Sequence, residues 1–312
     1  MAINPPEATR APLLESERAQ LPGTAGAPLR QSNLWTDAWR RYVRNKAAVL
    51  AGATFIVLVL YCVIWPIVSP YDPYAVDFAQ KSQSPSLEHP FGTDQFGRDL
   101  FTRAALGGRV SMLIGFGATL AILLIGVAYG SISGFVGGRL DNAMMRVLDT
   151  LYGLPYLPFA IIVLAIFGDA SLWTLMVALS VASWFTSARI VRGQIITLKE
   201  NDYIRAAKAV GARWFRVLGR HLLPNTLGVL IIAIFLELPG VILGEAFLSF
   251  IGLGISPPEA SWGQMANDGR TVYRTSPHII AVPSILIATL ILCANFIADG
   301  LRDALDPRTR ET

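Results

Sequence analysis

The chain has 312 residues, of which 53% are hydrophobic and only 15% are charged, and its formal net charge is +4. This composition lies outside the range of ordinary soluble domains and indicates a polytopic membrane protein. The basic residues concentrate beside apolar runs, so the positive charge indicates membrane topology; membrane lipid is an expected partner and nucleic acid is not.

Residues 1–34 are rich in Pro, Ala, Gly and Glu and show no helical periodicity. Such a segment buries too little apolar surface to offset the entropy lost on ordering, so we expect a disordered cytoplasmic tail. In residues 35–68, Trp35, Trp39 and Tyr42 stand beside a basic cluster and predict an interfacial helix that leads into a first membrane span. That span is full-length and lacks a convincing cleavage site, so we expect an uncleaved anchor.

Six apolar runs are long enough to cross the hydrocarbon layer, which takes about 20 helical residues. They occupy residues 47–68, 110–135, 143–167, 172–190, 227–251 and 279–297. The third run carries Arg146, Asp149, Pro155 and Pro158 near its start, so we expect it to begin later than drawn or to contain a bend. The sequence therefore predicts an all-α membrane protein with six transmembrane helices.

Lys and Arg near the span ends predict the orientation, because they stay on the cytoplasmic side during insertion. They gather before the first run, between the second and third, between the fourth and fifth, and after the sixth. With six crossings these four groups fall on one side. Both termini, including the tail 299–312, are therefore expected in the cytoplasm, and the loop 69–109 is expected outside.

The sequence contains no motif that indicates chemistry of its own. It has no phosphate-binding G-x-x-x-x-G-K-[ST] loop, so we expect no ATPase site. His89, His221 and His278 are scattered without ligand spacing, and neither a metal nor another cofactor is expected. Cys62 and Cys293 each lie in an apolar run, where a small buried hydrophobe is the expected role. No catalytic residue is predicted.

Residues 199–225, between the fourth and fifth runs, are basic, amphipathic and too polar to enter lipid. Asn201 predicts a helix start, Gly211 a left-handed turn, and Pro224 the end of a second short helix. We therefore predict a helical hairpin with a large apolar side, called the basic hairpin below. It is compatible with binding to anionic headgroups and with docking to a soluble partner.

The spacing within the basic hairpin resembles the EAA loop of ABC importer permeases, which reads Glu-Ala-Ala, three residues, Gly, nine residues, then Ile-x-Leu-Pro. The matching positions are Arg205, Ala206, Ala207, Gly211, His221, Leu223 and Pro224, with Arg205 in place of Glu and His221 in place of Ile. The stretches RRYVRNKAAVLAG, HPFGTDQFGRDLFTR and EAFLSFIGLGISPPEASWGQM are similar to the C-type permease of dipeptide and oligopeptide transporters. The resemblance covers about residues 35–308.

The resemblance implies a type I ABC importer permease fold, with its core in residues 110–298, in the bacterial cytoplasmic (inner) membrane. Such a subunit forms half of a translocation pathway for peptides. The implied partners are a second homologous permease subunit, two ATP-binding ATPase subunits and an extracytoplasmic substrate-binding protein. The hairpin residues expected to couple to an ATPase are Asp202, Tyr203, Arg205, Ala206, Ala207, Gly211, Trp214, Phe215, Leu223 and Pro224. For the aromatic residues, packing against the chain's own spans is the other interpretation.

Two acidic residues lie inside the fifth run, where a charge at mid-bilayer costs about 2.5 to 3.5 kcal/mol on insertion scales. Glu237 and Glu245 stand about 80° apart around a helix, on a broadly shared side. Each is a candidate for the pathway or for an interhelical hydrogen bond. In the second run, Gly126, Gly130 and Gly134 repeat every fourth residue and predict close helix packing, either static or sliding.

Two loops on the expected outer side, GTDQFGRD at 92–99 and SPPEASWGQM at 256–265, predict ordered turns. They suit either the reception of a binding protein or a stabilising plug between spans. Within the first loop, Arg98 and Asp99 are expected to pair.

Two other function classes compete with the importer subunit. A stand-alone secondary carrier of small solutes predicts inverted repeats and a self-sufficient ion site, and no convincing internal repeat is present. An intramembrane enzyme needs a nucleophile and base or a metal constellation, and none emerges from the sequence.

Overall fold

A computed structural model describes residues 34–256 and 258–305. The predictions made for residues 1–33 and 306–312 lie outside these ranges. Within them the chain forms helices and turns, without a β-strand. The α-helices are α1 (Leu34–Arg44), α2 (Lys46–Val68), α3 (Leu100–Val136), α4 (Gly138–Tyr152), α5 (Tyr156–Phe167), α6 (Leu172–Lys199), α7 (Asp202–Ala209), α8 (Trp214–Val217), α9 (Leu223–Phe250), α10 (Trp262–Arg270) and α11 (His278–Leu305).

Five helical stretches of the described chain are long and apolar enough to cross a membrane. They are Lys46–Val68, Leu100–Val136, Leu172–Lys199, Trp214–Phe250 and His278–Leu305. A sixth candidate is the pair α4 and α5, which passes the same criteria only when both helices are taken together. Each of the six predicted runs therefore overlaps one of these stretches.

The third predicted run is bent, as its sequence indicated. Helices α4 and α5 meet at 92°. Leu154 precedes Pro155, whose ring disfavours the helical conformation for the residue before it, and Gly153 lies in the same break. The 12 residues of α5 span only about 18 Å, too little to cross the hydrocarbon layer alone.

The glycine face of α3 packs directly on α6. A Cβ placed on Gly126 would lie 2.6 Å from the Cβ of Ser187, and one on Gly134 would lie 3.1 Å from the Cβ of Ile195. At Gly130 it would collide with the backbone of α6, including the Arg192 nitrogen at 2.9 Å. The predicted close approach is confirmed, because hydrogen at these positions lets the two backbones touch.

Pro224 does not end the second hairpin helix, contrary to the sequence prediction. Helix α8 runs through a π-helical turn, Leu218–Leu222, directly into α9. The amide of Leu223 donates to the Leu218 carbonyl across this turn. Pro224 follows directly, near the start of α9, and the wider π turn before it accommodates a residue that has no N–H to donate.

Candidate functional site

The turn of the basic hairpin is built on Gly211. Its φ of +82° places it in the left-handed region, which side-chain-bearing residues rarely adopt. The amide of Ala212 donates across it to the Ala207 carbonyl at 3.1 Å, and the amide of Val210 donates to Ala206 at 3.1 Å. These bonds satisfy carbonyls at the end of α7 and reverse the chain, so α8 starts at Trp214. The predicted hairpin turn is confirmed.

An apolar floor fixes the basic hairpin to the helical bundle. Ile204, Val217 and Leu222 are fully buried and pack against Val191 and Ile195 of α6. The hairpin therefore moves with the end of α6, because separating them exposes this cluster to water. The large apolar side that the sequence predicted thus faces inward at Ile204.

Three aromatic residues of the basic hairpin stay substantially exposed on the other side. The exposed fractions are 44% for Tyr203, 55% for Trp214 and 52% for Phe215. The Trp214 ring also lies 6.3 Å from the ring of Phe135, at the end of α3. Both interpretations of these aromatic residues, packing against the chain itself and docking to a partner, are therefore compatible with the structure. Each ring is partly covered by the chain and partly exposed.

The polar and small residues expected in the basic hairpin are mostly accessible. Asp202, Arg205, Ala206 and Pro224 are exposed, while Ala207 and Leu223 are partly buried. The Arg205 guanidinium donates to the carboxylate of Glu200 at 3.1 Å, and both side chains are more than half exposed. The exposed surface of the hairpin is cationic, because Arg213, Arg216 and Arg220 are also exposed.

An ion pair between Arg192 and Asp141 joins α4 to the end of α6 that packs against the basic hairpin. Arg192 donates from Nε and Nη2 to the two carboxylate oxygens of Asp141, each at 2.6 Å. Asp141 also accepts from Ser133 of α3, and the Lys199 ammonium donates to the Gly134 carbonyl at 2.9 Å. Bidentate geometry of this kind fixes orientation as well as charge, so α3, α4 and α6 form one rigid base below the basic hairpin.

Glu237 lines a cavity of about 620 Å³ between α4, α5, α6 and α9, called the Glu237 cavity below. Its lining is formed by Tyr152, Leu154, Tyr156, Leu157, Ala182, Ser183, Phe185, Thr186, Glu237, Gly240, Leu243, Gly244 and Phe247. The right-angled break between α4 and α5 creates one wall. Sequence reasoning missed Tyr156, Ser183 and Thr186, although the Pro155 bend was a signal that polar side chains beside it face an interior.

Glu245 is separated from Glu237 despite their shared helix. Its carboxylate is completely enclosed and accepts hydrogen bonds from Ser249 at 2.7 Å and from Ser111 of α3 at 3.1 Å. It does not line the Glu237 cavity. The structure therefore gives Glu245 the interhelical hydrogen bond of one sequence hypothesis, from Ser111.

The start of α10 inserts between spans through Trp262, which is fully buried. Its amide donates to the Ser111 hydroxyl at 3.1 Å, and its indole Nε1 donates to the Ala104 carbonyl at 2.7 Å. Ser261 caps α10 and donates to Ser249 at 3.2 Å. These contacts favour the stabilising plug over an open receiving loop for this end of the 256–265 stretch.

Arg98 and Asp99 do not pair, contrary to the sequence prediction. Arg98 donates from Nε to Asp94 at 2.6 Å, whereas Asp99 lies 2.8 Å from Nδ1 of His89 and caps α3 by accepting from the Thr102 amide at 2.7 Å. Adjacent side chains at a helix start diverge, because the capping carboxylate must fold back over the first turn.

Asp94 is the centre of a charged network that reaches α10. It faces Arg98 and also Arg103, whose Nε lies 3.4 Å away, and Arg98 approaches Asp268 at 4.0 Å. Burial raises the pKa of Asp268 above its ordinary value, and the positive charges of Arg103 and Arg98 oppose that shift. The loop 69–99 is thereby held onto α10.

The described part of the chain contains no group of three or more His, Cys, Asp and Glu side chains arranged for a metal. Cys62 and Cys293 are both buried and unpaired, as predicted for small apolar residues of membrane helices.

Two family models match this chain, and both describe membrane components of transport systems. Residues 126–311 match the family model described as "Binding-protein-dependent transport system inner membrane component". Residues 33–85 match the model of the N-terminal transmembrane domain of oligopeptide transport permease C. Together these two matches account for most of the chain, including α2 and the basic hairpin.

Several curated relatives are similar along nearly their whole length. The chain is 44% identical over 275 residues to the dipeptide transport system permease protein DppC of Bacillus subtilis, covering 88% of this chain and 86% of the relative. It is 41% identical over 280 residues to the oligopeptide transport system permease protein OppC of Escherichia coli K12, covering 89% and 92%. The glutathione transport system permease protein GsiD of Pectobacterium atrosepticum is 36% identical, with coverage of 88% and 92%.

Among solved structures, an inward-facing conformation of the MetNI methionine ABC transporter matches with a TM-score of 0.53 at 19% identity. The match covers 64% of this chain and 94% of that one, and it confirms the predicted type I ABC importer permease fold. The family match and the relatives also identify a multi-pass protein of the cytoplasmic membrane. The chain belongs to the family of binding-protein-dependent transport system inner membrane components.

Proposed function

We propose that this chain is the permease subunit of an ATP-driven peptide importer, that it forms half of the translocation pathway, and that separate ATPase subunits drive it. The observation that carries the proposal is the basic hairpin, a surface feature rigidly joined to membrane-crossing helices at one end of the bundle. The names of the similar proteins, which are permeases for dipeptides, oligopeptides and glutathione, support peptides as the solute class.

The basic hairpin has the features of a docking element for an ATPase. Tyr203, Trp214 and Phe215 present apolar surface that a soluble partner with an apolar groove would cover. Ala206 and Gly211 allow close backbone approach beside them, and Asp202, Arg205, Leu223 and Pro224 surround the same face. Binding to anionic headgroups alone would leave these half-exposed rings without a dedicated partner.

The transmission of force follows from how the basic hairpin is attached. Its floor packs on α6, and its second helix continues through the π turn into α9. A displacement of the hairpin by closing ATPase subunits is therefore passed to two helices that flank the Glu237 cavity. Switching between inward-facing and outward-facing packings requires such a rigid lever acting on a bistable bundle.

The partners and orientation belong to the same proposal. A second homologous permease completes the pathway, two ATPase subunits bind in the cytoplasm, and a substrate-binding protein delivers the solute from outside. The basic residues of the hairpin and of the segment before α2 support a cytoplasmic location for that end of the bundle, and hence for both termini. The chain itself supplies no ATPase site under this proposal.

The test is reconstitution of the chain with the three kinds of partner in liposomes that contain ATP, followed by uptake of radiolabelled trialanine. We expect uptake only when the ATPase subunits and the binding protein are both present. Uptake by this chain alone would contradict the proposal and favour the stand-alone carrier.

A matched pair of variants tests the docking face in the same assay. Trp214→Ala, combined with Phe215→Ala, should abolish copurification of the ATPase and reduce uptake at least about tenfold, because hot-spot aromatics contribute most of the affinity at such interfaces. Trp39→Ala removes an aromatic of α1 that is at least as exposed, and it should leave both readouts unchanged. Equal losses in the two variants would mean that the hairpin aromatics are not a docking site.

A further inference from the structure

We infer that the Glu237 cavity is a binding site for the ammonium group of a passing solute, with Glu237 as its anionic ligand. The inference rests on the proposed function, because it assigns a chemistry to one part of the pathway. It goes beyond that function by stating which end of a peptide the membrane-embedded cavity recognises.

The charge of the cavity lining has one sign. Among the described residues that line it, Glu237 is the only one with an ionisable acidic or basic side chain other than tyrosine. Glu237 is partly buried and makes no hydrogen bond or ion pair with any described residue. A carboxylate inside a membrane helix is costly unless it faces a cavity or a partner charge, so an accessible cation is the complement that this position lacks.

The remaining lining suits an ammonium group as well. Tyr152, Tyr156, Phe185 and Phe247 contribute aromatic rings. Aromatic faces attract cations through their quadrupoles, and rings combined with a carboxylate are a recurring arrangement in sites that bind ammonium groups. A site for the carboxylate end of a peptide would instead require Arg, Lys or several free backbone amides.

Hydroxyl groups are available beside Glu237. The buried Tyr156 hydroxyl has the Ser183 hydroxyl as a neighbour, but no hydrogen bond of standard geometry joins it to any described residue. Tyr156 lies close enough to Glu237 to interact with it electrostatically. An ammonium group donates three hydrogen bonds, so a carboxylate and nearby hydroxyl oxygens together can satisfy it.

A basic residue beside the cavity lining, Arg189, is paired with an acid. Arg189 contacts the Tyr152 ring, with its guanidinium carbon 4.7 Å from the ring centroid, and it donates to Asp149 at 2.6 Å. This pairing uses the positive charge of Arg189. It also leaves the negative charge of Glu237 uncompensated within the lining.

A cysteine reporter measures this preference without relying on the binding protein. A Cβ at Gly240 meets nothing within 4 Å, so Gly240→Cys places a thiol in the cavity, one turn from Glu237. The purified complete transporter is treated with trimethylammonium-ethyl or sulfonatoethyl methanethiosulfonate, and modification of this chain is followed by mass spectrometry. The parental chain without the added cysteine controls for the buried Cys62 and Cys293.

We expect Glu237→Gln in the reporter background to lower the ratio of cationic to anionic labelling rates about tenfold, the smaller end of the effect of a focused charge. Glu237→Asp should keep the ratio, and Asp299→Asn, which removes an exposed acid of α11, should not change it. An unchanged ratio in Glu237→Gln would overturn the inference. So would failure of both reagents to react, because the cavity would then be closed to solutes.

Protection of the reporter identifies the recognised group. Trialanine should slow labelling, N-acetyl-trialanine should not, and N-acetyl-alanyl-lysyl-alanine distinguishes a side-chain ammonium from a terminal one. Equal protection by trialanine and its acetylated form would overturn the inference even if ATP-driven uptake is intact. Loss of ATP dependence in the reconstituted uptake assay would instead refute the proposed function, so the two failures are distinguishable.

Discussion

Ser111 of α3 donates a hydrogen bond to the fully enclosed carboxylate of Glu245 in α9, at 3.1 Å and across 134 residues of sequence. The same hydroxyl accepts from the amide of Trp262, so a single serine joins two spans and the plug at the start of α10. Buried polar groups of this kind stabilise a structure only when every member has a partner.

We predict that Glu245→Gln and Glu245→Ala differ strongly in stability. The amide keeps the size of the side chain and an acceptor oxygen, so its cost should stay within about 1 kcal/mol. Alanine leaves the Ser111 and Ser249 hydroxyls without an acceptor and creates a cavity. Together these effects should lower the free energy of unfolding by about 3 kcal/mol. Thermal unfolding of the purified protein in detergent measures both. Equal losses would contradict the hydrogen-bonding role.

The packing of α3 on α6 predicts opposite stability changes when two of its glycines, Gly130 and Gly193, are replaced by alanine. Gly130→Ala drives a methyl group into the backbone near Ala188 and Arg192, which cannot rotate away, so a loss of about 1 to 3 kcal/mol is expected. Gly193→Ala meets nothing within 4 Å and should gain up to about 1 kcal/mol from helix propensity. Thermal stability distinguishes them, and a neutral Gly130→Ala would mean that the two helices separate easily.

Because Gly211 adopts a left-handed conformation, we predict that the coupling of ATP hydrolysis to uptake depends on which residue replaces it. Asn tolerates positive φ and should retain ATP-driven uptake in Gly211→Asn. Val adds about 1 to 2 kcal/mol of backbone strain, so Gly211→Val should distort the basic hairpin and uncouple ATP hydrolysis from uptake. Both variants should reach the membrane at normal levels. Identical uptake by the two would show that the turn geometry is not needed for coupling.

Arg205 stands where the resembled motif has Glu, and its ion pair with Glu200 is exposed. Such a pair contributes about 0 to 1 kcal/mol, so neither Arg205→Gln nor Glu200→Gln should measurably change the melting temperature. We expect only Arg205→Gln to weaken copurification with the ATPase, because Arg205 lies on the proposed docking face. Equal weakening by the two variants would assign the effect to the ion pair instead.

The raised pKa of Asp268 predicts a pH-dependent difference between the wild type and Asp268→Asn. Because burial raises the folded-state pKa above the unfolded value, protonation favours the folded state at low pH, and this stabilisation is lost as pH rises through the folded pKa. Asp268→Asn should therefore gain in melting temperature relative to the wild type as pH rises. Melting curves from pH 4 to pH 8 test this.

The control for that titration is Glu259→Gln, which removes an exposed carboxyl from the segment before α10. Its difference from the wild type should stay constant over the same pH range. A difference that follows pH equally in both variants would point to a general charge effect and not to the burial of Asp268.

The sequence by itself determined the features that depend on neighbouring residues. Apolar runs of sufficient length predicted the membrane-crossing helices, and the glycine repeat predicted the close face of α3. Gly211 predicted the hairpin turn, and Pro155 marked the break between α4 and α5. These features follow from backbone preferences and helical periodicity, which act over a few residues.

Only the tertiary structure decided which side chains meet. Sequence analysis placed Glu237 and Glu245 on one broad side of a helix, but packing put one in a cavity and enclosed the other among serines. Likewise Pro224 continues a helix because a π turn precedes it, and Asp99 turns away from Arg98 to cap α3. The partners of Glu245 and Asp94 come from distant segments, and their positions depend on the packing of whole helices, which no local pattern specifies.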